Sequence, residues 1–385
     1  MFIILLFQSC DSQPQFNFKQ LVLGGAKFEG HLYPKRYEKS TDSSIEYETW
    51  EGVEVSSNAE LISLLKKEPK CEAIKFIDRD NDEENKFDLT EKISKFKNLK
   101  FLEIRSNRIS TCPKEIEKLT SLQELILNVG QIEIIEFDFS KFKALKHLII
   151  ENSGKLKSFP ISIFQCENLE SIKLSGFHEK VENNTLNGIE KLINLKEIAI
   201  FYSNLILPVN VEYKFGKLET LIIDRMITPL PEFFYSCKTL KNLALSSIFD
   251  TIDLSLISKM ENLENLNLHH QRALIGDLSL PKLEHLDITS SLCKEIKIDF
   301  GNLKSLTSLV VWGNQNLENL NDISNPNLRS LTVVNNIKLK KIQLDNNKLN
   351  NIEEVIMRLN KSLENRPIIV NNIEVTKNRK YEYKN

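Results

Sequence analysis

Glycine and proline are scarce in this chain of 385 residues, at 12 and 11 copies, while 41% of its residues are hydrophobic. That balance excludes a collagen-like or low-complexity disordered polymer and implies a folded array with a substantial core. The six cysteines include no Cys-x-x-Cys pair and no cysteine/histidine spacing suited to zinc, so neither a disulfide framework nor a zinc site is indicated. Cys71, Cys112, Cys166 and Cys237 instead sit among apolar positions and read as small buried side chains. Neither charge dominates, with 51 basic residues against 53 acidic, which argues against the strong cationic surface of a dedicated nucleic-acid binder. Catalytic signatures are missing as well. The glycines of "LGGAKFEG" (23–30) lack both the Gly-Lys-Ser/Thr of a phosphate loop and a dinucleotide fingerprint, and no serine-elbow, kinase-like or metalloprotease phrase occurs. No cofactor is implied, and an enzyme is not expected.

What the chain does have is a hydrophobic phrase, Leu-x-x-Leu-x-Leu with aliphatic variants, in 11 copies from Leu99 to Val333. Leu99, Leu102 and Ile104 open the series; Leu195, Ile198 and Ile200 stand in its middle; Leu328, Leu331 and Val333 end it. Successive copies begin 20 to 26 residues apart, a period that indicates a solenoid. The last three positions of each phrase alternate, as a short strand with one buried face requires. A unit this small cannot close its own core, so the inward residues of each copy must pack on those of the next. A second apolar set about ten residues later, such as Ile116 and Leu119, Ile163 and Phe164, or Ile257 and Met260, must close the opposite wall.

The segment "NLKFLEIRSNRISTCPKEIEKLTSL" (98–122) makes the series resemble the leucine-rich repeat family. Asn107, Asn314 and Asn336 match the family's asparagine position, whereas Gly130, Ser153 and Gln271 replace it; Pro113, Pro160 and Pro231 restrict the turn into the convex segment. The resemblance implies an α/β solenoid, a leucine-rich repeat horseshoe with a parallel concave sheet and irregular or short-helical convex segments. It also implies that the outward residues of the strands face a partner.

Those outward residues can be written down. Between the second and third aliphatic positions lie Glu103, Ile126, Ile149, Lys173, Ala199, Ile222, Ala244, Asn267, Asp287, Val310 and Thr332. Two residues further on lie Arg105, Asn128, Glu151, Ser175, Phe201, Asp224, Ser246, His269, Thr289, Trp312 and Val334. Phe201 and Tyr202, with Arg225 and Ile222 on the next strand, form the favoured recognition patch, because aromatics bury large flat areas and arginine adds a directed polar contact. Trp312 and His269 extend the candidates. His269, His270, His285 and Asp287 are the one histidine concentration, but alternation separates their directions, and no metal site is assigned.

The flanks divide as follows. Residues 1–9 form an apolar stretch too short to span a bilayer; with Ser9, Cys10 and the polar run after it, they resemble a bacterial lipoprotein signal, which implies lipid on Cys10. Residues 10–35 would then be a tether. Residues 36–98 read as an N-terminal cap and irregular first repeat, in which Ser57 caps a helix burying Leu61, Leu64 and Leu65, and "DRDNDEEN" (78–85) is a solvated insertion and not a cation loop. Repeats occupy 99–350, ending in a strand through Leu339, Ile342 and Leu344. Residues 351–385 are a C-terminal cap and tail, with Ile352, Val355, Ile356 and Leu359 at helical spacing. The functional expectation is a non-enzymatic module that binds a protein or surface polymer, lipid-anchored in a bacterial cell envelope. The alternatives are a self-assembling envelope protein, or an intracellular scaffold if Cys10 carries no lipid.

Overall fold

Each copy of the phrase becomes one strand of a single sheet, because two residues of every phrase must face inward while the chain advances one turn of the solenoid. The computed structural model describes residues 52–364, apart from 79, 81–85, 152–153, 178–180, 183, 225–227 and 247–250, together with 369–370 and 373–374. Fourteen parallel strands lie in strict chain order. They are β1 (Gly52–Val55), β2 (Ala73–Ile77), β3 (Phe101–Ser106), β4 (Glu124–Val129), β5 (His147–Glu151), β6 (Ser171–Ser175) and β7 (Glu197–Phe201). Then follow β8 (Thr220–Asp224), β9 (Asn242–Ser246), β10 (Asn265–His269), β11 (His285–Thr289), β12 (Ser308–Trp312), β13 (Ser330–Val334) and β14 (Glu354–Arg358).

The register is the one that the phrase demands. Leu102, Leu125, Leu148, Ile172, Ile198, Leu221, Leu243, Leu266, Leu286, Leu309 and Leu331 stand side by side across β3 to β13. One apolar column runs through the solenoid from Val55 to Met357. The opposite wall is built from short helical turns, such as the 3-10 turns Lys114–Lys118 and Ile161–Gln165 and the α-turn Glu232–Tyr235. Pro113, Pro160 and Pro231 each directly precede one of these, holding φ between −54° and −76°. At three other turns Asp138, Asp253 and Asp299 cap the first residues through their side chains. Aromatic clusters fill this wall, among them Tyr213, Phe215, Phe233 and Phe234 with ring centroids 5.1–6.2 Å apart. The five described cysteines are all buried and free.

Two rows of side-chain hydrogen bonds tie each turn to the one before it. In the loop after each strand, Asn360 Oδ1 accepts from Asn336 N–H, Asn336 Oδ1 from Asn314 N–H, Asn314 Oδ1 from Ser291 N–H, and Ser291 Oγ from Gln271 N–H, at 2.8–3.2 Å. The same amides donate backwards, Asn314 to Ile288 O, Asn336 to Val311 O and Asn360 to Val333 O. At the other end of the strands, the asparagine preceding the first aliphatic residue donates to the previous turn: Asn168 to Lys143 O, Asn194 to Glu167 O, Asn262 to Lys238 O and Asn327 to Lys304 O.

Several expectations need correcting. At the first copy the turn is served by Ser106, whose hydroxyl accepts from Arg108 N–H and Ile109 N–H and donates to Asp78, whereas Asn107 is half-exposed. Gln271, read as a replacement, performs the asparagine's task by donating to Leu245 O. The segment around Ile352, Val355, Ile356 and Leu359 is no cap helix: Glu354–Arg358 is a strand paired in parallel with β13. Ile352, Val355 and Met357 are a further copy of the phrase, with methionine in its last place. The strand Lys341–Leu344 exists but pairs with Asn319–Ile323 in a separate three-stranded convex sheet. Its leucines belong to the opposite wall, which is why leucines recur at half the repeat length there. The tail contributes Ile369–Val370 to a two-strand antiparallel hairpin. Asp78 and Asp80 of the acidic run are held by Arg108, with Asp78 accepting from Nε and Nη2 at 2.9 and 2.7 Å and Asp80 from Nη1 at 2.7 Å.

Replacing Asn336 by Ala should strand a buried N–H and buried carbonyls, and lower stability by about 2–4 kcal/mol in urea titration. Asn107→Ala should cost under about 0.5 kcal/mol.

Candidate binding surface

Three rows of side chains point outward from the strands, one more than the phrase alone brought to notice. The two anticipated rows run side by side across the sheet, as in Ile149 beside Lys173, Lys173 beside Ala199, and Ser175 beside Phe201. The third comprises the first residues of the strands, Ala73, Phe101, Glu124, His147, Ser171, Glu197, Thr220, Asn242, Asn265 and His285. Its signal was legible: a polar residue directly before the second aliphatic, as in "LQEL" and "LKEI".

On this face Ala73, Phe101, Ile126, Ile149, Ala199 and Ile222 form an apolar cluster separate from the main column, with Phe201 and Ala244 packed against it. Around it the charges pair off. Glu103 accepts from Lys75 at 3.1 Å and from Arg105; Arg105 also approaches Glu151 at 3.8 Å, and Lys173 reaches Glu151 at 2.5 Å. The Lys173 ammonium lies 5.5 Å from the centre of the Phe201 ring, within cation–π range.

Each named candidate has a definite place. Phe201 is half-buried on the outward row; Ile222, only 8% exposed, lies within the apolar cluster beneath it. Tyr202 is 48% exposed and follows the strand in a left-handed conformation with φ 44°. This left-handed position recurs at the end of strands as Gly176, Tyr202, His270, Ser290, Gly313, Asn335 and Leu359, where a bulky L-residue is strained by roughly 1–2 kcal/mol. Trp312 is half-buried between Thr289 and Val334, five strands from Phe201. His269 Nε2 is 3.7 Å from Asp287 Oδ2, and Thr289 donates to the other oxygen of that carboxylate. Among the described residues no three His, Cys, Asp or Glu side chains gather as metal ligands. Arg225 and Cys10 lie outside the described residues.

Buried polar atoms left without a hydrogen-bond partner collect on these strands: Glu124 Oε1, Glu197 Oε1, Ser246 Oγ, Asn267 Oδ1, His269 Nε2 and Arg358 Nε. Burial, with the nearby Glu103 charge as a second cause, pushes the Glu124 carboxyl up to about 8; burial raises Glu197 to about 8 against the pull of Ser171 and Lys173. Burial lowers His147, which faces Glu124 across the pairing, to about 4.

This architecture is a leucine-rich repeat solenoid. No family profile matches the chain. It is 28% identical over 211 residues to the volume-regulated anion channel subunit LRRC8D of Rattus norvegicus, covering 53% of this chain and 22% of the relative. A probable disease resistance protein of Arabidopsis thaliana is 24% identical over 209 residues, covering 53% and 20%. The alignments thus span about a fifth of the length of these curated relatives. Among solved structures, a leucine-rich repeat protein of Leptospira interrogans superposes with a TM-score of 0.51 at 21% identity, covering 80% of this chain and 94% of that one. TLR13, solved as a complex with single-stranded RNA, gives a TM-score of 0.51 at 20% identity, covering 79% and 48%. These likenesses establish the fold. Among the described residues no helix is long and apolar enough to cross a membrane.

The buried carboxyls carry a stability signature. Between about pH 4.5 and 8 the native chain keeps protons on Glu124 and Glu197 that the unfolded chain has released, so these groups make stability fall as pH rises. His147 acts oppositely between about 4 and 6.5, where only the unfolded form is protonated, and the two effects offset each other there. Above pH 6.5 the carboxyl effect stands alone. Thermal melts should therefore show the wild type weakening from pH 6.5 to 8, and a Glu124→Gln, Glu197→Gln variant should lose that contribution; an unchanged slope would refute the assignment.

Proposed function

We propose that this protein is a non-enzymatic binding module that uses its concave sheet to hold another protein. The carrying observation is the coincidence, on one face, of an apolar cluster with buried polar atoms that lack partners. Such a face offers a docked protein apolar area at its centre and polar contacts at its rim. Phe201 and Tyr202 are the central anchors, with Lys173 fixing the first ring from one side. Tyr202, 48% exposed at the end of its strand, is open to contact.

RNA, held by one structural neighbour, suits this face less well. Lys75, Arg105 and Lys173 are already engaged with Glu103 and Glu151, which weakens their pull on a phosphate backbone.

The proposal extends to display from a bacterial cell envelope through lipid on Cys10, a reading supported by the apolar run of residues 2–7 and the polar stretch after Cys10. A single lipid chain anchors weakly, so durable attachment would require more than one acyl chain.

A photoreactive residue at Ser175, beside Phe201, should crosslink to a discrete protein in native cells, and one at the exposed convex Ile161 should not. Alanine at both Phe201 and Tyr202 should weaken that capture about tenfold or more with the fold intact; equal capture from both positions would defeat the concave-face reading. Mass spectrometry of protein from native membranes should find a chain beginning at lipid-bearing Cys10. An intact Met1 or an unmodified Cys10 would remove the anchor.

A further inference from the structure

The convex turn Ile189–Lys191 opens on Gly188, which stands in the left-handed region at φ 111° and ψ −14°. Only glycine fits there, because a Cβ would be strained at that φ and would lie 2.9 Å from the Phe164 ring. The residue before it is Asn187, and this is the one place in the chain where glycine follows asparagine. Asn187 is exposed, and its own N–H donates to Thr185 O at 2.8 Å. The Gly188 N–H is engaged differently from its neighbours. It donates to a side chain, Glu190 Oε2, at 2.8 Å, whereas the N–H groups of Ile189 and Lys191 donate to the carbonyls of Leu186 and Gly188.

The parts of a reaction therefore meet in one short turn. The side-chain carbonyl carbon of Asn187 and the nitrogen of Gly188 are joined through the chain at the reach of a cyclic imide, so bringing them together costs little entropy. Glycine sets no side chain in the way of that approach. A carboxylate stands within hydrogen-bond distance of the proton that the nitrogen must lose, which is the place a general base occupies.

We infer that Asn187–Gly188 is a self-modifying site at which the folded chain converts Asn187 to aspartate or isoaspartate. The Gly188 nitrogen attacks the side-chain carbonyl carbon of Asn187 while Glu190 takes the nitrogen's proton. The bond from that carbon to the amide nitrogen then breaks, Glu190 returns the proton to the departing nitrogen, and ammonia leaves a cyclic imide. Water opens the ring at either carbonyl. One opening gives aspartate, and the other carries the main chain through the former side chain as isoaspartate. Either product places a new negative charge beside Glu190. The isoaspartyl form also lengthens the main chain directly before a glycine that packs closely on Phe164, in a turn that seats the fully buried Leu186 and Ile189.

The test incubates the full chain at neutral pH in water enriched in heavy oxygen and maps its peptides by mass spectrometry over time. The peptide holding Asn187 should lose its amide, take up oxygen from the solvent and yield isoaspartate as well as aspartate, ahead of every other asparagine. Glu190→Gln keeps an acceptor for the Gly188 N–H and removes the base, so conversion should slow about tenfold or more; circular dichroism checks that this variant folds. Asn187→Gln, which would have to close a larger ring, should keep its amide. An Asn187 that persists while other asparagines convert, acid formed without isoaspartate, or an undiminished rate in the Glu190→Gln chain would each overturn the inference.

Discussion

The rest of this structure depends on how polar backbone is satisfied inside a stack of units too small to satisfy it alone. Each turn brings N–H and C=O groups into an apolar column as the chain leaves the sheet, and a side chain from the following turn must reach back to meet them. Asparagine does this best because one amide both donates and accepts. Asn314, Asn336 and Asn360 use both functions on the turn before, whereas Ser291 can only accept from Gln271 N–H and passes its own proton to Thr289 O. The longer Gln271 donates to Leu245 O across the same step. Where the row breaks, the turn is rebuilt in another way: Phe177 occupies the equivalent place, its ring packs on Phe159, and Ser203 takes the Phe177 N–H. The irregular convex wall follows from these local substitutions.

The strands were legible because their requirement is short-ranged and severe. Two inward aliphatics separated by one outward residue leave no freedom in register, and a slip by one position would turn a buried leucine toward solvent. The outward rows follow from the same constraint, and every residue assigned to them in advance stands where alternation puts it. What escaped was the end of the array. Ile352, Val355, Ile356 and Leu359 match a helix by spacing, yet Ile352, Val355 and Met357 match the phrase equally well. Only the presence of β13 as a neighbour decides between them, a tertiary fact that periodicity does not contain. The convex strand Asn319–Ile323 escaped, and the strand Lys341–Leu344 reads as one more concave strand, for a related reason: both imitate the phrase at half the period.

The binding surface was legible in part. Phe201 and Tyr202 stand out in any reading because large aromatics seldom occupy outward positions without cause. Glu124 and Glu197 do not stand out, since glutamate beside an aliphatic ordinarily means a solvated surface. Their burial, at 3% and 1% exposure, arises only when the sheet sets neighbouring repeats beside them, Phe101 and His147 beside Glu124, Ser171 and Thr220 beside Glu197. Local sequence records that a residue is charged; the sheet determines what the charge must pay in desolvation.

A parallel sheet ordinarily carries cover on both faces, because its strands are apolar on both. This solenoid covers one face with its own convex wall and leaves the other to side chains of mixed character. Were that second face purely solvated, its rows would be as polar as the exposed turns, and its charges would need no particular arrangement. Instead the central strands bring Ile126, Ile149, Ala199 and Ile222 into one cluster, enclose it with paired lysines, arginine and glutamates, and bury the carboxyls of Glu124 and Glu197. Apolar cover and neutralised surroundings are the conditions under which a docked chain gains affinity from area and specificity from a few polar contacts. The repeats set the curvature and spacing of that surface, and the departures from repetition give it an identity.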